Sequence, residues 1–174
     1  MSEYVVNIPF LDQAAAQIKE GGSFSQDLTS QDLAEIMKGV ISDLLSGQGK
    51  VEANVPQMDV RIQNQQGMIK GAIAVEKPIK AQIGIDLTLG NAPQSQQLKL
   101  VKLDVTEKTN NMAAKIALKT VSIKGRAKKA LASPNQALFT ALSKQLESRD
   151  VNLSRIGLNF EQETLGISLQ GSSK

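Results

Sequence analysis

The chain has 174 residues, 41% of them apolar, which is the size of one ordinary domain and enough to bury roughly two-thirds of the unfolded surface. Cysteine and histidine are both absent, which excludes disulfides, thiolate metal sites and the side chain that most often acts as general base or metal ligand near neutral pH. The net charge of +3 excludes a general nucleic-acid field, and one tyrosine with four phenylalanines leaves a core that must be aliphatic.

Residues Phe10 to Lys19 place Phe10, Leu11, Ala14, Ala15 and Ile18 at helical spacing after Pro9, and Gly21 and Gly22 end that short helix. Phe24 to Leu28 lead into the clearest helix signal in the chain. Thr29 is its N-cap, with Asp32 at the capping-box position. Leu33, Ile36, Met37, Val40, Ile41, Leu44 and Leu45 then form a wide apolar stripe, and Gly47 stops it.

Beyond Gln48 the hydrophobic period falls from near 3.6 to 2, as expected where helix gives way to half-buried strands. Met58, Val60 and Ile62 alternate with polar residues. After a polar loop around Asn64 to Gly67, so do Ile69, Gly71, Ile73 and Val75, followed by Ala81, Ile83, Ile85, Leu87 and Leu89. A loop from Gly90 to Gln97 precedes a fourth strand with Val101, Leu103 and Val105 on one face. Met112, Ala114, Ile116 and Leu118 give a fifth, with Lys115 and Lys119 opposite. Consecutive strands without crossover helices read as an antiparallel meander.

Ser133, Pro134 and Gln136 form a helix start, with serine as cap, proline at the first helical position and glutamine at the capping-box position. Leu138, Leu142 and Leu146 follow, and this helix runs to about Arg149. Val151 to Phe160 and Leu165 to Leu169 make a closing hairpin that turns at Glu161 to Thr164. No internal repeat or interdomain linker interrupts the pattern, so residues 1–174 read as a single domain. The expected fold class is α+β, a curved, largely antiparallel sheet of about seven strands wrapped around two main amphipathic helices.

Candidates for chemistry are few. The sequence-adjacent pairs Ser122 with Lys124 and Ser143 with Lys144 lie in no characteristic motif and read as ordinary surface residues. Glu161 with Glu163 reads as a solvated turn. Asp27 with Asp32 reads as carboxylates favoured at a helix N-terminus, because a hard-metal site usually needs more oxygen ligands. No phosphate loop is present, since Gly21-Gly22 and Gly47-Gln48-Gly49 lack both the motif and the preceding strand. The expectation is therefore no enzyme, no metal and no cofactor.

The sharpest charge feature is Lys115, Lys119, Lys124, Arg126, Lys128 and Lys129, six basic residues within fifteen that contain no acid. It reads either as a solvated strand face and linker, or as a surface for anionic lipid headgroups. Nucleic acid is disfavoured because aromatic stacking platforms are missing. No apolar run approaches the roughly 18 to 20 residues of a membrane span, and Glu3, Asp12 and Glu20 are unlike a signal peptide. The expectation is a soluble chain, cytoplasmic as it stands, or extracytoplasmic if an N-terminal anchor has been removed.

Asp27-Leu28-Thr29-Ser30-Gln31-Asp32-Leu33, opening an apolar helix before a long meander, resembles the start of the LmeA-like phospholipid-binding proteins and related tubular lipid-binding domains. The closing hairpin resembles theirs as well: Val151 to Leu158, a tight turn, then Leu165 to Gly171, after a helix begun at Pro134. The resemblance spans roughly residues 24 to 171 and rests on caps, alternation and turns. It implies a sheet curled around a long helix, lipid chains held between them and no reaction.

No binding residue transfers from the resemblance, so candidate acyl-chain contacts come from the pattern. They are Ile36, Met37, Val40 and Ile41 of the capped helix, with Ile73, Ile83, Ile85 and Leu87 of the facing strands. By pattern alone the same residues make a plain hydrophobic core. The leading expectation is non-enzymatic binding of a lipid or other apolar molecule, with peripheral contact at an anionic membrane. The alternative is a structural or protein-interaction module with a dry core.

Overall fold

The computed structural model describes residues 8, 10–46, 52–77, 80–94, 96–107 and 123–174. In chain order these form α1 (Leu11–Gly21), β1 (Ser23–Leu28), α2 (Ser30–Ser46), β2 (Glu52–Gln63), β3 (Gln66–Lys77), β4 (Ala81–Asn91) and β5 (Leu98–Glu107). After these come α3 (Ile123–Leu131), α4 (Pro134–Glu147), β6 (Val151–Phe160) and β7 (Leu165–Ser173). The architecture is α+β with antiparallel pairing throughout the described strands. The strands divide between two sheets, a meander of order β2-β3-β4-β5 and a three-stranded sheet of order β1-β7-β6.

Capping fixes where α2 begins. The Thr29 N–H donates to Asp32 Oδ2 at 3.0 Å, and the Asp32 N–H donates to Thr29 Oγ1 at 3.2 Å, which is the reciprocal capping box with aspartate in place of glutamate. Helix α1 ends as its glycines suggest, with Gly22 left-handed at φ 79° and its N–H bonded to the Ile18 carbonyl. The Gly47 stop of α2, Pro9 and the fifth strand read at Met112 to Leu118 lie outside the described residues.

Helix α4 starts at Pro134 as expected, but Ser133 makes no side-chain cap bond, so the box read from Ser133 and Gln136 is not formed. Gln136 turns instead to its own helix, donating to Thr140 Oγ1 at 3.4 Å. The amide of Asn135 holds the helix start in place. Its Oδ1 accepts the Leu98 N–H at 3.1 Å and its Nδ2 donates to the Leu98 carbonyl at 2.9 Å, tying α4 to the first residue of β5.

Four further local readings change. Phe24 to Leu28, read as a lead-in to α2, is β1, whose residues pair from Ser23 with Gln170 to Leu28 with Leu165. The stretch after Ser122, read as strand face and linker, is helix α3, which buries Ala127 and Leu131. The polar loop of Asn64 to Gly67 contracts to a two-residue turn, with Asn64 and Gln65 both left-handed at φ 54° and 61° and Gly67 already within β3. Val101 does not share a face with Leu103, because a register shift after Thr88 pairs Leu89 with Leu100 and leaves Val101 48% exposed.

Leu33, Met37 and Ile41 of α2, Leu138, Leu142 and Leu146 of α4, and the inward residues of both sheets join in one continuous core. Helix α1 packs on β1 and β7, α2 on β2, and α4 on β6 and β5, so the apolar faces of the two sheets share one set of helices. The sheets are also joined directly through Phe160. A methyl group placed on Gly67 would lie 2.6 Å from Phe160 Cζ, so the ring of this fully buried side chain occupies the space that a larger residue on β3 would need.

Candidate functional site

The eight aliphatic residues singled out in the sequence lie in the layer between the helices and the meander. Ile36, Met37, Val40 and Ile41 form the buried stripe of α2, and Ile73, Ile83, Ile85 and Leu87 lie on the inward face of β3 and β4. Register explains their alignment: Ile73 pairs with Ile83, while Ile85 and Leu87 pair across β4–β5 with Val105 and Leu103. All eight belong to one cluster, and none is more than 4% exposed, so the layer is closed in this structure. Burial of each side chain contributes about 1.5–3 kcal/mol. Among the described residues no polar or charged residue is classed as buried beside them.

The basic segment is only partly within the described residues, since Lys115 and Lys119 lie outside them. Lys124 is in the first turn of α3, Arg126 is half-buried, and Lys128 and Lys129 are exposed in the last turn. Those last two cations suit the negative end of the helix dipole, which accounts for their helical position without a ligand. The inward face of α3 meets α2, α4 and β5, so its exposed lysines sit on the outer surface of the helical layer.

The remaining candidates are engaged structurally or stand apart. Asp32 is committed to the α2 cap, and Lys144 pairs with Asp43 of α2 at 3.5 Å. Ser122 is outside the described residues. Among the described residues no group of three or more carboxylates could hold a metal ion.

Among the described residues, two clefts lie elsewhere on the molecule, and the described lining of each includes none of the eight aliphatic residues. The larger, about 670 Å³, sits on the outer face of the three-stranded sheet beside the β4–β5 loop. Its floor follows two cross-strand rows, Ser25–Ser168–Gly157 and Asp27–Gly166–Asn159. The loop forms a wall, and it is fixed by the Leu158 N–H donating to the Gln96 carbonyl at 2.9 Å. The smaller, about 530 Å³, lies at the β6–β7 turn around Glu161 and Thr164. The sequence signal for the larger cleft was the alternation of Gly157, Gly166 and Ser168 with Leu158, Leu165 and Ile167. That pattern marks an outer face of small residues, but it does not show that a distant loop walls the face in.

Helices long and apolar enough to cross a membrane are absent among the described residues. No known family model matches the chain, and no curated protein matches it. Among solved structures the chain is similar to one described as the crystal structure of lipopolysaccharide binding protein, with 14% identity and a TM-score of 0.23. The likeness covers 86% of this chain and 49% of that one, so the chain spans about half the length of the structure it matches, and a likeness this slight carries no argument about ligand.

Proposed function

We propose that the protein is a non-enzymatic holder of a lipid or other apolar molecule, taken up between α2 and the four-stranded sheet. The observation that carries this reading is the chemistry of that layer. Its described buried residues are apolar throughout, so an alkyl chain admitted there exchanges aliphatic contacts for aliphatic contacts. A polar ligand would leave hydrogen-bonding groups unmatched at about 1–3 kcal/mol each. Because the layer is closed in this structure, uptake requires α2 to separate from β2, and the unbranched Met37 in its stripe adapts most readily to a changed outline. Lys128 and Lys129, exposed on α3, supply the attraction to an anionic membrane surface, about 1 kcal/mol per residue.

Native mass spectrometry of protein purified without detergent tests the reading. The expected result is a population heavier than the bare chain by the mass of a lipid, lost on organic extraction and regained from phospholipid vesicles. Repeated recovery of the bare chain alone, before and after incubation with vesicles, would overturn it. The closed layer favours a second reading, a structural or protein-interaction module with a dry core, and that negative outcome together with a reproducible protein partner would select it.

A further inference from the structure

We propose that β1 is a dimerisation edge, along which a second copy of the chain adds its own β1 in antiparallel fashion, centred on Ser25. The inference is independent of the lipid reading, because β1 contributes none of the eight aliphatic residues of that layer.

Alternation along the strand shows which backbone groups are free. The Gly171 N–H donates to the Gly22 carbonyl at 3.0 Å, one step before the pair of Ser23 with Gln170. In an antiparallel ladder successive residues turn their N–H and C=O groups alternately to the two sides. Gly22, Phe24, Gln26 and Leu28 therefore address β7, while Ser23, Ser25 and Asp27 address the open side. Outside the ladder with β7, no hydrogen bond between described residues engages the backbone of these three. Helix α1 covers the inward face rather than the edge, with Phe10 at its start stacked on Phe24 at a centroid distance of 6.0 Å.

The other three described sheet edges each carry a guard. Along β6 the Asn91 side chain takes both backbone groups of Phe160, and the Gln96 carbonyl takes the Leu158 N–H. Strand β2 contains Pro56, which has no N–H, and two register shifts. Strand β5 carries Lys99, Lys102 and the shift that leaves Val101 exposed. These are the devices that keep an edge from pairing. Strand β1 has none of them: its six residues pair without a shift and include no proline, lysine or arginine.

Self-complementarity identifies the occupant. Set against itself on a twofold axis at Ser25, β1 places Ser25 opposite Ser25 of the second copy and Ser23 opposite Asp27 of the second copy. Every outward N–H and C=O of both strands is then matched, and the Ser23 hydroxyl donates to the Asp27 carboxylate across the pair. Sliding the partner by two residues leaves an outward residue of each copy unmatched, because the Thr29 N–H and carbonyl are already held by the α2 cap and by Leu33. A slide that sets Asp27 against Asp27 opposes like charges. An edge this short buries little surface, so association is weak, roughly in the upper micromolar range.

The test starts from sedimentation equilibrium of the full chain over a wide concentration range. The expected result is reversible conversion of the 18.7 kDa chain to a species of twice that mass. Isotope-filtered NMR of a half-labelled sample should give contacts between Phe24 of one copy and Gln26 of the other. Ser25 is exposed, so Ser25→Glu should keep the fold while opposing like charges on the axis and weakening dimerisation about tenfold. Mixing that variant with Ser25→Lys should restore association to within about threefold of the wild type, because only this register sets position 25 against itself. A chain that stays monomeric up to about millimolar concentration, whether β1 is bare or taken by another protein, would overturn the proposal. So would a dimer that Ser25→Glu leaves unchanged, or one that mixing the two variants fails to restore.

Discussion

The side chain of Asn91 pairs with both backbone groups of Phe160, its Nδ2 donating to the carbonyl at 3.0 Å and its Oδ1 accepting the N–H at 2.7 Å. The last residue of β4 thereby acts as a one-residue strand against the last residue of β6, joining the two sheets. Asn91→Leu removes both partners and leaves two part-buried backbone groups unmatched. The expected loss is about 1–3 kcal/mol, read as a lower urea midpoint with an unchanged slope. Asn91→Asp keeps the acceptor and loses the donor, so it should fall between the wild type and Asn91→Leu.

Gly67 and Phe160 are coupled sterically. Gly67→Ala forces a methyl against the buried ring, and the expected cost is about 1–3 kcal/mol by overpacking. In a Phe160→Leu background the same substitution should cost less, and a double-mutant cycle in urea measures the difference. A cost that stayed the same in both backgrounds would place the strain elsewhere.

The α2 cap gives a smaller and more local effect. Thr29→Ala removes the hydroxyl that accepts the Asp32 N–H, leaving only the backbone half of the capping box, and should destabilise by about 1 kcal/mol, whereas Thr29→Ser keeps the hydroxyl and should be near neutral. Thermal unfolding of the two variants side by side distinguishes loss of the cap from loss of the methyl group.

Leu87 and Asp12 mark the extremes of sensitivity. Leu87 is fully buried in the aliphatic layer, so Leu87→Ala should cost about 2–5 kcal/mol through lost transfer energy and the cavity left behind. Asp12 meets Arg149 Nε at 2.8 Å, but its side chain is 87% exposed, so Asp12→Asn should change stability by less than about 1 kcal/mol. Chemical denaturation of both variants in one buffer makes the comparison.

The meander was legible because alternation over eight or more residues has only one economical solution, a half-buried strand, and its neighbours in sequence are its neighbours in the sheet. The same logic fails for β1. Phe24 and Leu28 are its only buried residues and stand four apart, a spacing that carries no strand period, and the partner that makes it a strand is β7, far along the chain. Helix α3 was hidden by its lysines, which mark a solvated surface whether the backbone beneath is strand or helix. Val101 illustrates a third failure, since a bulge reverses the facing of a residue without leaving a trace in composition. For the candidate site, the sequence placed the eight aliphatic residues on inward faces, and the structure puts them there. The cleft over Gly166 was not legible, because Asp27, Glu161 and the loop at Gln96 come together only through pairing between distant strands.

The position of β7 between β1 and β6 leaves β1 dependent on a partner from the far end of the chain. Each hairpin of the meander joins strands adjacent in sequence, so its ends meet quickly and at low entropic cost. β1 has no such option, because Leu28 must wait for Leu165. Until that partner arrives, Phe24 and Leu28 are carried on a strand with unmatched backbone groups on both sides, the kind of segment through which a nascent chain pairs with another copy of itself. The hazard lasts until β7 pairs with β1, and faster closure of β7 onto β1 would relieve it without any change in the stability of the finished molecule.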